Sequence, residues 1–424
     1  MQPQRIWPRR PGHLAYIVGS LPLRHASTSS STHPATLLAA APAPSSPRHA
    51  PLAVMPTRTL VKSLVFTSIM ASPLLQPCLS VMKYVVESKS MLLSPARNPL
   101  MNHLLRATIY NHFCAGVNEN EVRSTVKYMK GLGFKGVILG YGRESVAKVD
   151  PDDLDGQVPQ ANQQQVVEER AIEEWKQGNL RTLKMIDEGD YLGIKFTGAG
   201  PAAVEALRRG DPSPPPLIQQ AINEICQATA AQKSRLWIDA EQQVFQPAID
   251  AWTIDLMRQF NRAGNVVVYN TIQAYLKAST ANVQRHLTLA ANEGWSLGIK
   301  LVRGAYIAHD IRSRIHDTKP DTDRNYDHIV QSLLTREFPL RGGSSFPDVR
   351  LFVASHNAET VRKAYALSRH RRDNHLPTIP VEMGQLQGMA DESLVVLGSP
   401  GHNSLDGLNV RLADRMRRRD MVFA

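Results

Sequence analysis

Between residues 136 and 391 the chain alternates short apolar runs with helix-length stretches. The runs are Gly136–Leu139, Leu192–Lys195, Leu236–Asp239, Val266–Tyr269, Ile299–Val302, Leu351–Ala354 and Ile379–Glu382. Apolar runs this short suit strands buried on both faces. Their alternation with helices predicts βα units around a parallel sheet. Nearly every run ends in polar residues, and a barrel carries its chemistry at the C-terminal ends of its strands. The pattern therefore predicts an α/β fold, a distorted (βα)8 TIM-like barrel with an N-terminal helical arm. Seven strand units are recognisable and the eighth is missing. From Gly398 onward the alternation stops.

Helical spacing is clearest in two places. Residues 119–133 read as a helix starting at Glu119 and stopping at Gly131 and Gly133. Pro247 suits the first turn of a second helix. That helix puts Ile249, Trp252, Leu256 and Phe260 on one face, and Gly264 ends it. Gln157–Gln165 is polar and reads as loop, and Asp211–Pro216 as a stiff surface segment. Residues 63–82 carry no charge and are flanked by Lys62 and Lys83. They are long enough to span a bilayer, but Pro73, Pro77 and several serines interrupt them. An interfacial segment or a packed arm is the favoured reading.

Charge divides the chain. Its 424 residues carry a formal net charge of +11, which suggests nucleic acid at first sight. Residues 1–86, however, hold eight Lys or Arg and no Asp or Glu, so the remainder carries only +3. A basic, Ser- and Ala-rich, acid-free leader, with Arg5, Arg9, Arg10 and Arg24, reads as a mitochondrial transit segment. A disordered tail or an overlong gene start is the alternative. Nucleic acid is not an expected partner. The expected divisions are a transit segment and linker over 1–57, a helical arm over 58–133, a barrel over 134–397 and an aberrant tail over 398–424. Cys78, Cys114 and Cys226, with no CxxC, imply neither a disulfide framework nor a zinc site.

Several motifs are better explained without special chemistry. Gly198-Ala-Gly-Pro-Ala-Ala203 matches a dinucleotide fingerprint but lacks the acidic residue at the next strand end. It reads as a strand-to-helix turn. Asp321-x-Asp323-x-Asn325-x-Asp327 begins like a calcium loop, yet has Tyr326 where Gly is needed and Ser332 in place of a bidentate Glu. His356 and Glu359 have no third ligand at metal spacing, so no metal is expected. The informative signal is collective. Asp239-Ala-Glu-Gln242, Gln273-Ala-Tyr275, Lys300-Leu-Val-Arg-Gly-Ala-Tyr306 and Ser355-His-Asn357 each follow a strand. Together they gather carboxylate, amide, cation and imidazole at one barrel mouth, suited to an anionic cofactor and a small charged substrate.

Those motifs resemble proline dehydrogenase in its eukaryotic mitochondrial form. The resemblance rests on Asp239-Ala-Glu-Gln242, Phe245-Gln-Pro-Ala-Ile249, Tyr269-Asn-Thr-Ile-Gln-Ala-Tyr275, Lys300–Tyr306, Ala354-Ser-His-Asn357 and Gly384-Gln-Leu-Gln-Gly-Met-Ala390. Upstream, His112-Phe-Cys-Ala-Gly116 and Gly133–Leu139 resemble it too, so the likeness runs from about residue 60 to Asp391.

The resemblance implies a barrel carrying noncovalent FAD that oxidises L-proline to Δ1-pyrroline-5-carboxylate. It implies electron transfer to a membrane quinone from the matrix side of the mitochondrial inner membrane. By the same likeness, Lys195 would lie near the substrate carboxylate and flavin, and Asp239 would hold a substrate-binding arginine. Gln273 would bond the isoalloxazine edge. Lys300 and Val302 would flank the ring, with Arg303, Gly304 and Ala305 continuing beside it. Tyr306 would wall the proline pocket, and His356 and Asn357 would contact the FAD tail. After Asp391-Glu392 the chain departs from the family pattern. A closing strand and a Tyr-Leu-x-Arg-Arg helix are expected there, and Arg417-Arg418-Arg419 does not reproduce them. Asp239 is therefore expected to lack its arginine partner. Two readings remain open: an FAD-dependent proline dehydrogenase, and a catalytically impaired or inactive barrel remnant.

Overall fold

A computed structural model describes residues 13–16, 57–70, 72–88, 90–95, 97–132, 134–143, 161–340 and 345–388. The expected linker over 35–57, apart from Thr57, and the tail from 398 lie outside the described residues. Seven strands follow the seven apolar runs: β2 (Ile138–Tyr141), β3 (Tyr191–Ile194), β4 (Arg235–Ile238), β5 (Val268–Gln273), β6 (Leu297–Val302), β7 (Val349–Ala354) and β8 (Val381–Gly384). All pair in parallel with their sequence neighbours. An additional strand, β1 (His13–Tyr16), lies antiparallel on β2 and comes from the leader. It occupies the edge hydrogen bonds that a parallel neighbour would otherwise take.

Side-chain alternation builds two apolar layers. Ile138, Tyr191, Trp237, Val266, Tyr269 and Phe352 pack together inside the curl. Leu139, Leu192, Leu236, Ile238, Leu351 and Val353 face outward into the helix-covered core. The curl is visible in contacts between strands that are not neighbours. The Tyr191 and Phe352 rings, from β3 and β7, lie 5.5 Å apart. At the base, Arg235 Nη1 of β4 donates to both Glu382 oxygens of β8, at 2.7 and 2.8 Å.

The helices around this sheet are α6 (Ala161–Leu183), α7 (Pro201–Arg209), α8 (Pro216–Ala231), α9 (Gln246–Phe260), α10 (Ser279–Glu293), α11 (Lys319–Thr335) and α12 (Ala358–Asp373). In α9 Pro247 does occupy the first turn, and Ile249, Trp252 and Leu256 are buried. The Gly198–Ala203 run is the turn from β3 into α7. The start of the calcium-like run is a helix cap, in which Thr318 and Asp321 bond each other's backbone N–H. Two expectations fail. Helix α9 ends at Phe260 with Asn261 as its C-cap, so Gly264 lies beyond its end. Residues 161–165, read as loop, form the first turns of α6. Glutamine is a good helix former, so polarity there marks an exposed helix face rather than a break.

The arm comprises α1 (Thr57–Met70), α2 (Leu75–Glu87), α3 (Pro99–Leu105), a π turn at Arg106–Tyr110 and α4 (Asn111–Phe113), with α5 (Glu119–Gly131) leading into the barrel. The uncharged 63–82 stretch is split between α1 and α2. No helix among the described residues is long and apolar enough to cross a membrane. The arm docks through His112, whose Nε2 donates to Gly388 O at 3.1 Å, just beyond β8. The His112 ring stacks on Phe66 with centroids 4.7 Å apart. Burial lowers the His112 pKa, which suits a neutral ring donating through Nε2. Gly388 has φ +76°, and a Cβ there would lie 2.7 Å from His112 O.

Candidate active site

The polar residues singled out from the sequence converge at the C-terminal ends of the strands. Above the inner aromatic layer, Lys300 Nζ of β6 lies 4.5 Å from the Trp237 ring centroid. The same ammonium donates to Asp239 Oδ1 at 2.6 Å, and the two side chains are only 15% and 16% exposed. Asp239 is thus partnered by a lysine, while the stretch where its arginine was expected lies outside the described residues. Register explains the lysine pairing, because β4 and β6 flank β5 and their exits face each other across it. Nor does Asp239 cap α9, whose N-cap position is Phe245.

A second pair stands beside the first. Lys195, directly after β3, donates to Tyr306 Oη at 2.9 Å and lies 5.5 Å from its ring centroid. Gln273, at the end of β5, is 3% exposed. Its Nε2 donates to Glu241 O at 3.1 Å, and its Oε1 accepts from Ala305 N at 3.4 Å. The half-buried Val302 accepts Ala274 N at 2.8 Å, which fastens the β6 exit to the β5 exit. Gly304 has φ +150°, and a Cβ there would lie 2.4 Å from the Tyr275 ring. The Arg303-Gly304-Ala305 turn thus needs glycine at its centre.

Arg303 is engaged on all sides. Nε donates to Asp323 at 2.6 Å, Nη1 to Ser355 Oγ at 2.8 Å and Nη2 to Thr360 Oγ1 at 3.0 Å. Burial works to raise the Asp323 pKa, but the bonds from Lys319 and Arg303 outweigh it and hold it below the ordinary value. His356 is exposed at the mouth, and its Nε2 accepts Leu386 N at 3.1 Å. That bond requires an unprotonated nitrogen. Its pKa falls to about 4, from the crowding of chain around the ring and then from Arg303. Because the side chain is exposed, the accepted N–H is the firmer ground for the neutral form. Asn357 caps α12, its Oδ1 accepting Glu359 N at 3.0 Å and Thr360 N at 3.2 Å.

The structure adds residues that the sequence reading passed over. Glu241 is 1% exposed and accepts from Thr197 N at 3.2 Å and from Thr197 Oγ1. Asp310 accepts Gln243 N at 2.7 Å and the Tyr275 hydroxyl. Trp237 Nε1, Thr271 Oγ1 and both polar atoms of Gln243 are buried without a hydrogen-bond partner among the described residues. Asn270 points outward to Asp250 and His286, so alternation turns Thr271 inward beside Lys300. Glu241 and Gln243 stand in the same run as Asp239, and that adjacency was the available signal.

This set of donors fits a polar, aromatic cofactor such as a flavin. Buried groups of this kind ordinarily find partners, and Lys195 and Lys300 bring positive charge to the same mouth. Among the described residues no group of His, Cys, Asp and Glu could hold a metal.

Comparison with known proteins points the same way. The family model described as proline dehydrogenase matches residues 122–411, past the point where the likeness was expected to end. The probable mitochondrial proline dehydrogenase of Schizosaccharomyces pombe is 28% identical over 358 residues, 72% of this chain and 70% of that protein. The mitochondrial proline dehydrogenase 1 of Homo sapiens is 37% identical over 181 residues, 40% of this chain but only 28% of its own length. Among solved structures, proline utilization A from Bdellovibrio bacteriovorus aligns with a TM-score of 0.53 at 15% identity. That alignment spans 71% of this chain and 31% of the larger protein, and it supports the fold alone. The matches favour the enzyme reading over that of a barrel remnant. A family match over well more than half its length, with its motifs gathered at one barrel mouth, means that this chain belongs to the proline dehydrogenase family.

Proposed function

We propose that this chain oxidises L-proline to Δ1-pyrroline-5-carboxylate using FAD held at the barrel mouth. The observation that carries the reading is the joint placement of Lys300–Asp239 and Lys195–Tyr306 at adjoining strand exits. When bound, the flavin supplies the acceptor for the hydride that leaves proline. The chain's own residues bind and orient. Lys195 brings a cation to the side where a substrate carboxylate would sit, and Tyr306 holds that ammonium in place. Lys300 and Thr271 offer donors to the cofactor's polar edge, and Gln273 holds the Ala305 turn against it. Val302 and Trp237 supply the apolar walls that keep water from the reacting carbon. His356 and Asn357 stand where the cofactor tail would leave the mouth.

We further propose that electrons pass to a membrane quinone, at the matrix side of the mitochondrial inner membrane. Support comes from the named mitochondrial relatives and from the arm. Val61, Leu64, Val65, Val81 and Tyr84, with Leu74 between the two helices, are all exposed there, and neither helix is long and apolar enough to span a bilayer. Lys62, Lys83 and Arg97 accompany them, against a single acid, Glu87, between residues 57 and 118. Apolar side chains rimmed by cations suit an anionic bilayer surface.

The test is direct. The full chain is loaded with FAD and its visible flavin absorbance is followed anaerobically as L-proline or hydroxyproline is added. Bleaching by L-proline supports the reading. Bleaching by hydroxyproline alone would reassign the substrate. Retained flavin that neither amino acid bleaches would overturn the catalytic proposal, and failure to take up FAD would return the chain to a remnant.

A further inference from the structure

Glu241 occupies an unusual place. It is a carboxylate with 1% exposure, two residues beyond Asp239, and it touches three strand exits at once. Its side chain accepts the backbone N–H of Thr197 at 3.2 Å and the Thr197 hydroxyl. Thr197 belongs to the buried turn Phe196–Ala199 that begins immediately after Lys195. The backbone carbonyl of Glu241 accepts Gln273 Nε2 at 3.1 Å. Its own backbone N–H donates to Gln246 Oε1 at 3.3 Å, and Gln246 continues to Asp250 at 2.8 Å. Through Gln273 the chain of bonds reaches Ala305, one residue before Tyr306. The Lys195 carbonyl is held from the other side by Trp175 Nε1 at 3.1 Å.

We infer that Glu241 is a positioning residue, which sets the spacing of Lys195 and Gln273 around the cofactor and substrate through Thr197 and its own backbone. The inference rests on the proposed function, because it concerns the same mouth. Its physical basis is the cost of leaving buried donors unpaired. A backbone N–H and a hydroxyl aimed at one carboxylate admit few alternative arrangements. The turn carrying Lys195 is therefore locked to the β4 exit rather than free to slide along it. Glu241 is buried rather than open to the mouth. Its effect passes through the groups it holds.

The experiment uses the full chain and three substitutions. Thr197→Val keeps the side-chain shape and removes the hydroxyl donor. Thr197→Ser keeps the donor. Glu241→Gln keeps an oxygen for the Thr197 N–H but loses the carboxylate. FAD affinity is measured by quenching of flavin fluorescence, the visible band of the bound flavin is recorded, and proline KM and kcat are determined separately. The expected result is a rise of roughly tenfold in the FAD Kd for Thr197→Val, equivalent to one lost hydrogen bond. A displaced flavin band and a raised proline KM should accompany it. Thr197→Ser should restore all three, and Glu241→Gln should fall between. A melting temperature recorded for each variant separates positioning from general stability. Equal FAD affinity, band and KM in all variants, with only the melting temperature lowered, would show that Glu241 is a packing element and overturn the inference. Failure of the unmodified chain to take up FAD would instead overturn the functional reading beneath it.

Discussion

Lys300 caps the barrel's inner aromatic layer, with its ammonium over the Trp237 face and donating to Asp239. Removing one side of such a largely buried pair leaves a charge uncompensated, which costs about 3 kcal/mol. Lys300→Met should therefore lower the urea midpoint by that equivalent. Lys300→Met combined with Asp239→Leu should recover much of the loss, and strictly additive losses would show that the pair is not coupled. His356 gives a second test, with a definite sign. Its folded pKa, about 4, lies below the ordinary value of 6.5. The unfolded chain therefore binds a proton that the folded chain does not, and stability falls as pH drops from 6.5 towards 4. It is fully present above 6.5. His356→Gln keeps an acceptor for Leu386 N and cannot titrate, so its denaturant midpoint should fall less than the parent's between pH 7 and pH 5. An identical pH slope in both would remove His356 from the account.

Elements carry the next set of consequences. At the β6 exit, Gly304→Ala would place a Cβ 2.4 Å from the Tyr275 ring. Because that ring is held to Asp310, the turn must move. A loss of roughly 1–3 kcal/mol follows, measurable by thermal unfolding, and weaker FAD retention should accompany it. On α1, Leu64→Glu with Val65→Glu should reduce co-sedimentation with anionic vesicles by tenfold or more, since two apolar side chains are withdrawn from the interface. Undiminished binding would clear the arm of that role. The strands were the legible part of the chain, because four buried apolar residues in a row leave few other readings. Their bounds shifted by about two residues, as at β2 and β8, where pairing extends past the apolar run. The start of α6 was misread because glutamines signal exposure, not conformation. The strand from His13 to Tyr16 was illegible, since nothing local marks four residues of a basic leader for pairing with an edge 122 positions further on at Tyr16↔Ile138. At the site, residue types were legible and partners were not. Asp239 was visible from its position after β4, but its pairing with Lys300 depends on strand register.

At the scale of the whole molecule, arm and barrel meet where His112 rests on Gly388. Gly388→Ala should force that contact apart, because the added carbon would sit 2.7 Å from His112 O on a backbone at φ +76°. Amide exchange in α1–α4 should then speed up while α9 and β5 stay protected, and unchanged exchange in the arm would show that it is anchored elsewhere. The same contact also orders events in time. His112 and Gly388 are 276 positions apart, whereas from β2 to β8 each strand pairs with the next one made. Neighbouring units can assemble as the ribosome releases them, since closing a short loop loses little entropy and a long one more. The arm, synthesised before the parallel strands, must wait for the residues beyond β8 before it can settle. Until then the His112 ring lacks the carbonyl it donates to, so the earliest-made helices are the last to find their place and the longest open to capture by a chaperone or a lipid surface.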